Sequence, residues 1–207
     1  MLKIPLYFST VLLAAVASPS LVLAKPAPAA HKAEPKLAEH DKFRQWHDVC
    51  LQGDTDKIAQ QITKFEWLLK RSPSNDLARA YLGSAYALKA KHSFFPLTKL
   101  NSLKKGKSLL EAAVKGSPTN PRVRMVRAIA YYRVPKRFDT RPTSISDFEL
   151  LLTEAKKETS ILMPNEKQAS LYYASLAFAE EKHGSANQAK ILCHKIDPNS
   201  KYGKLTK

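Results

Sequence analysis

Glycine is scarce in this chain, six residues in 207. None of them builds a phosphate-cradling G-x-x-x-x-G-K-[ST] loop, a G-x-G-x-x-G turn or a G-x-S-x-G nucleophile elbow. Cysteine is limited to Cys50 and Cys193, so no CxxC pair exists, and there is no HExxH helix. His40 and His47 share a helix with Asp48 and Cys50, but not at a spacing that defines a metal site. Cys193 and His194 are adjacent, which on a helix points them in different directions. Glu149, Glu154, Glu180 and Glu181 read as solvated helix-surface carboxylates. No catalytic residue, metal or cofactor is therefore expected. Apolar/polar alternation at period two is equally rare, which removes the signal of half-buried strands and leaves an all-α chain.

What the chain does have is punctuation. Ser117-Pro-Thr-Asn-Pro121 returns in altered form as Ser72-Pro-Ser-Asn-Asp76, Met163-Pro-Asn-Glu166 and Asp197-Pro-Asn-Ser200. Proline cannot continue a helix, and the Asn or Ser beside it can cap the next, so each copy reads as one helix ending and another beginning. Ten residues after the first three leading prolines stand Gly83, Ala128 and Ala174, and three further on Tyr86, Tyr131 and Ala177. A small residue one turn before a large one suits a helix whose partner crosses close at one point and is wedged at the next.

This register resembles the tetratricopeptide repeat (TPR), a helix-turn-helix unit of about 34 residues. The matching positions are Leu82, Gly83 and Tyr86 in helix A, then Gly106, Leu110, Ala113 and Pro118 in helix B. Gly83 and Gly106 lie further apart than in the family by eleven residues, close to three helical turns, so a longer helix keeps its buried face. Ala90-Lys-His with Pro96-x-Thr-Lys-Leu100 is also similar to a group of exported bacterial TPR-like proteins. The resemblance implies a solenoid of about four antiparallel helix pairs. In an extended stack Cys50 and Cys193 would sit in the first and last hairpins, too distant to pair; two separate core residues are expected.

In chain order, Met1–Ala24 reads as a signal peptide: Lys3, an apolar run through Val22, and cleavage after Ala24. The mature protein is expected in a bacterial periplasm. Residues 25–36 are a Pro/Ala-rich linker, 37–200 the helical domain and 201–207 a basic tail. Expected helices run from Leu37 to Gly53, to Arg71, Asp76–Lys91, Pro96–Lys115 and Pro121–Arg133. A loop follows to Pro142, then a helix ending near Leu162 with Ser144 and Asp147 as its capping box. The last pair covers Glu166–His183 and a short helix through Ile196.

Charge carries the functional content. Thirty-four Lys and Arg stand against eighteen Asp and Glu. Between Lys89 and Arg141, fourteen basic residues face only Glu111 and Asp139, a local field that favours acidic partners. In the register of the resembling family, Arg122, Met125, Ile129, Tyr132 and Arg133 line the inner groove. Arginines flanking apolar residues suit an acidic peptide segment or a chain-end carboxylate. The alternative is an anionic polymer or lipid, an acidic polysaccharide or lipid headgroup, held by Lys99, Lys104, Lys105, Lys107, Lys136, Arg137 and Arg141. Nucleic acid would satisfy the same charge, but export argues against it.

Overall fold

The structure is a computed structural model and describes residues 39–207; the expected signal peptide and linker lie outside the described residues. Among them there is no strand. The helices are α1 (Glu39–Leu51), α2 (Thr55–Arg71), α3 (Asp76–His92), α4 (Pro96–Gly116), α5 (Pro121–Arg133), α6 (Arg141–Ala155), α7 (Pro164–Glu180), α8 (Ala186–Ile196) and α9 (Lys201–Leu205). A 3-10 turn, Lys136–Phe138, lies between α5 and α6. Helices α1, α3, α5 and α7 each pair with the even helix after them, and α3, α5, α7 and α9 also pack on the even helix before them. The odd helices touch one another in series, α1 on α3, α3 on α5, α5 on α7 and α7 on α9.

The Pro-Asn segments do the joining. Asn75 N–H donates to the Ser72 carbonyl and Asn120 N–H to that of Ser117, at 3.1 and 3.2 Å. The Asn75 side chain then caps α3 at Ala78 N, and the Asn120 side chain caps α5 at Arg122 N and Val123 N. Such caps satisfy backbone donors that the first helical turn leaves without partners. The third copy starts α7 with Pro164 in its first turn, where the Glu166 side chain accepts from Met163 N at 2.8 Å. The fourth copy repeats the geometry, Ser200 N–H to the Asp197 carbonyl at 3.3 Å and the Ser200 hydroxyl accepting from Gly203 N. Residues 201–207, expected as a tail, therefore open with α9, and Gly203 and Thr206 are buried.

Helices α3 and α4 cross where Gly83 meets Gly106. A Cβ built on Gly106 would lie 2.8 Å from the Gly83 carbonyl oxygen, and one on Gly83 would lie 2.9 Å from that of Gly106. Only hydrogen at both positions permits this backbone approach. At the end of α1, Gly53 takes φ +83 and the His92 ring packs over it where a side chain would stand.

Two main cores result. Phe43, Ile58, Phe65, Tyr81, Leu110 and Tyr131 anchor the first, and Phe148, Leu151, Leu171, Phe178 and Cys193 the second. Helix α5 serves both, Val123 and Val126 facing the first, Met125 and Ala128 the second. Cys50 and Cys193 are free, fully buried and in different cores. Burial pushes the Cys50 thiol up to about 11 and raises that of Cys193.

Helix α6 differs at both ends from the sequence reading, which had it capped at Ser144 and ending near Leu162. Helix α6 begins at Arg141 and ends at Ala155, so Ser144 and Asp147 lie inside it, both fully buried. Ser144 donates to the Ala128 carbonyl at 2.8 Å, and Asp147 accepts from Arg124 and Arg127. They join α6 to α5 rather than capping a helix end.

Candidate binding groove

The odd helices share one face, and a groove of about 220 Å³ runs along it. Helix α1 contributes Arg44, His47 and Asp48, α3 Tyr81 and Ser84, and α5 Met125, Ile129 and Arg133. Helix α7 adds Ala169 and Tyr173, and α9 closes the far wall with Lys201 and Tyr202. Met125, Ile129 and Arg133 fall on one side of α5 because they are four residues apart.

The aromatic wall is continuous. Tyr172 lies 5.2 Å from Tyr173 and 5.1 Å from Tyr202, centroid to centroid. The Arg133 guanidinium sits 5.3 Å from the Tyr173 ring and donates through Nη2 to the Tyr173 hydroxyl at 3.0 Å. Guanidinium carries five donors in a planar fork, so most of them remain available on this exposed side chain. On the opposite wall His47 Nε2 lies 2.7 Å from the Ser84 hydroxyl, and its ring is 5.4 Å from that of Tyr81. Burial, with Arg133 nearby, lowers the His47 pKa from 6.5 to about 4, so the imidazole is neutral at pH 7. Arg44, Arg133 and Lys201 thus face a single groove carboxylate, Asp48, whose pKa burial raises against the pull of Arg44.

Two of the five residues expected in the groove lie elsewhere. Arg122 donates from Nε to both carboxylate oxygens of buried Glu166, at 2.9 and 3.1 Å, and from Nη2 to the Ile161 carbonyl. It ties α5 to α7 and to the segment before α7. The Tyr132 hydroxyl donates to Glu180 at 2.6 Å, with the Arg141 guanidinium 4.3 Å from its ring; burial and Glu180 push its pKa up to about 12.

The other basic residues divide in the same way. Lys105 pairs with Glu66 at 2.9 Å, Lys136 with Glu181 at 2.8 Å, and Arg141 with Glu180 at 3.3 Å. Lys107 donates to the Phe138 carbonyl, and Arg137 stands over the Phe138 ring. Lys99 and Arg137, with Lys91 and Arg133, instead surround a second cleft of about 440 Å³ between α3, α4 and the loop after α5. Lys104 is exposed on α4.

The sequence reading weighed His47 only as a metal ligand and had no hold on Arg44, Tyr81, Ser84, Tyr173, Lys201 or Tyr202. Their shared signal is position on successive odd helices, visible once α9 is counted as one of them. No protein-family model, curated protein or solved structure matches the chain.

Proposed function

We propose that the chain is a binding module with no chemical step of its own, holding an acidic or carboxylate-ended segment of a partner protein in the groove of the odd helices. The observation that carries this reading is Arg133, fixed over Tyr173 with donors to spare and flanked by Met125, Ile129 and the tyrosine wall. Carboxylate pairs with such a fork bidentately, and apolar and aromatic neighbours exclude competing water. Arg44 and Lys201 give the groove a positive balance along its length. The series of odd helices fits the TPR-like architecture that the Pro-Asn register suggests. The apolar run of Met1–Ala24 supports export, with envelope assembly as the setting.

The test is fluorescence anisotropy with labelled acidic peptides, each prepared with a free and an amidated C-terminus. Expected is tighter binding of the acidic, free-ended series and a loss of roughly tenfold or more for Arg133→Glu. Lys115→Glu, outside the groove, leaves binding unchanged. Equal binding of all peptides to wild type and Arg133→Glu overturns the reading.

A further inference from the structure

From Leu77 to Leu110 the chain contains seven Lys and Arg and no Asp or Glu. The middle of that stretch is the turn between α3 and α4, and there the packing logic of the rest of the molecule is reversed. Phe94, Phe95 and Leu97 are 88%, 67% and 70% exposed, and Leu100 one turn further on is 42% exposed. The two phenylalanine rings contact each other edge to face, 5.8 Å apart. Neither belongs to any of the cores. Pro96 in the first turn of α4 fixes the backbone that carries them.

Cations surround this apolar tip. Lys91 precedes it on α3, Lys99 and Lys104 follow on α4, and all three are exposed without an acidic partner among the described residues. Arg137 joins them across the cleft of about 440 Å³, whose lining includes Pro96, Lys99 and Leu100 from the tip itself. The cleft floor is apolar, built of Ala90, Leu103, Val134 and Phe138. No carboxylate lines it.

Asp139, exposed, follows Phe138 in the chain, and Asp54 lies beside the Gly53 that His92 covers. Asp54 is turned into its own helix, accepting from Asp56 N and Lys57 N.

We propose that the α3–α4 tip docks on an anionic bilayer surface, Phe94, Phe95 and Leu97 entering the headgroup boundary while Lys91, Lys99, Lys104 and Arg137 meet lipid phosphates. A convex apolar wedge needs a receptor that deforms around it, and the interfacial zone of a bilayer does, with aromatic rings favoured at that depth. The charge collar supplies attraction that uncharged lipid lacks. A second copy of the chain is the poorer occupant, because two such collars repel. Attachment is peripheral in this scheme: among the described residues no helix is long and apolar enough to cross a membrane. One face would hold the module at the surface while the groove stays open to its segment.

The test is co-sedimentation of the chain beginning at Lys25 with vesicles of phosphatidylglycerol mixed with phosphatidylcholine, against phosphatidylcholine alone. Circular dichroism of every variant controls for folding. Expected is partition onto the anionic vesicles only, reduced about tenfold by the double change Phe94→Ser and Phe95→Ser, since two apolar anchors are removed. Lys99→Glu with Lys104→Glu removes the preference for anionic lipid. Three results would overturn the proposal: equal partition on both vesicle types, undiminished partition of the double serine variant, or self-association in solution lost with the phenylalanines while vesicle partition is unchanged. None of these variants touches a groove side chain, so a negative outcome leaves the peptide-binding reading standing.

Discussion

Arg127 grips the carboxylate of Asp147 with two nitrogens, Nε to Oδ2 at 2.7 Å and Nη2 to Oδ1 at 2.9 Å, and Arg124 adds a third bond at 2.8 Å. Two of the fourteen cations between Lys89 and Arg141 are thereby turned inward onto a fully buried acid. With Arg122 on Glu166, the arginines of α5 other than Arg133 act as fasteners, Arg124 and Arg127 within the α5–α6 hairpin and Arg122 to the next one. The positive surface left over is smaller than the composition suggests and includes the groove and the α3–α4 tip.

Removing Asp147 leaves two guanidinium groups, only 22% and 13% exposed, without the carboxylate that both contact. Breaking one partner of a buried ion cluster is the costly direction. Asp147→Ala is expected to destabilise by about 3 kcal/mol, read as a lower urea midpoint. Asp147→Asn, which keeps one acceptor, is expected to recover part of that loss.

The glycine crossing allows a sharper comparison. Gly106→Ala places a methyl 2.8 Å from a backbone oxygen that only a shift of α3 can move. A cost of roughly 1–3 kcal/mol follows from such overpacking. At Gly184 nothing lies within 4 Å of the added methyl, and Gly184→Ala is expected within about 0.5 kcal/mol of wild type. Thermal melts of the two variants check both.

Acid should loosen the fold through His47. Its folded pKa is depressed to about 4 from 6.5, so between those values the unfolded chain takes up a proton that the folded chain refuses. Stability therefore falls as pH drops from 6.5 towards 4, with no further His47 contribution below or above that window. The effect is about 2 kcal/mol once partial solvent access is allowed for. His47→Gln, which can still reach the Ser84 hydroxyl, is expected to flatten this part of the stability profile in denaturant titrations across pH.

Deleting residues 201–207 should do more than trim an end. It removes Tyr202 from the tyrosine wall, the Gly203 carbonyl that accepts from His194 Nδ1 at 2.9 Å, and buried Thr206. The expected loss is about 2–3 kcal/mol of stability, together with binding of the acidic peptides. Calorimetry and anisotropy on the same sample separate the two effects.

The hairpins were legible because their signals are local. A proline, an asparagine two residues on and a small residue ten residues on act through the backbone nearby, and α3, α4 and α5 fall within a residue of where those signals put them. The start of α6 was misread because Ser144 and Asp147 look like caps in sequence; Pro142 in its first turn marks the start instead, and the acid is held by arginines twenty or more residues away. Arg122 was misplaced for the same reason, since helical register says nothing of Glu166 forty-four positions on. Helix α9 was a different failure. The fourth Pro-Asn segment announced it, but the basic composition of residues 201–207 outweighed that signal.

The two buried thiols turn the molecule into its own clock. Cys50 and Cys193 are wholly enclosed in separate cores, and their enclosure keeps them protonated and slow to react. An alkylating reagent can reach either one only when the helices around it part, so each modification rate records how often that end of the chain opens. Mass spectrometry of the two cysteine peptides from one reaction would time the first and last hairpins independently, with no label introduced.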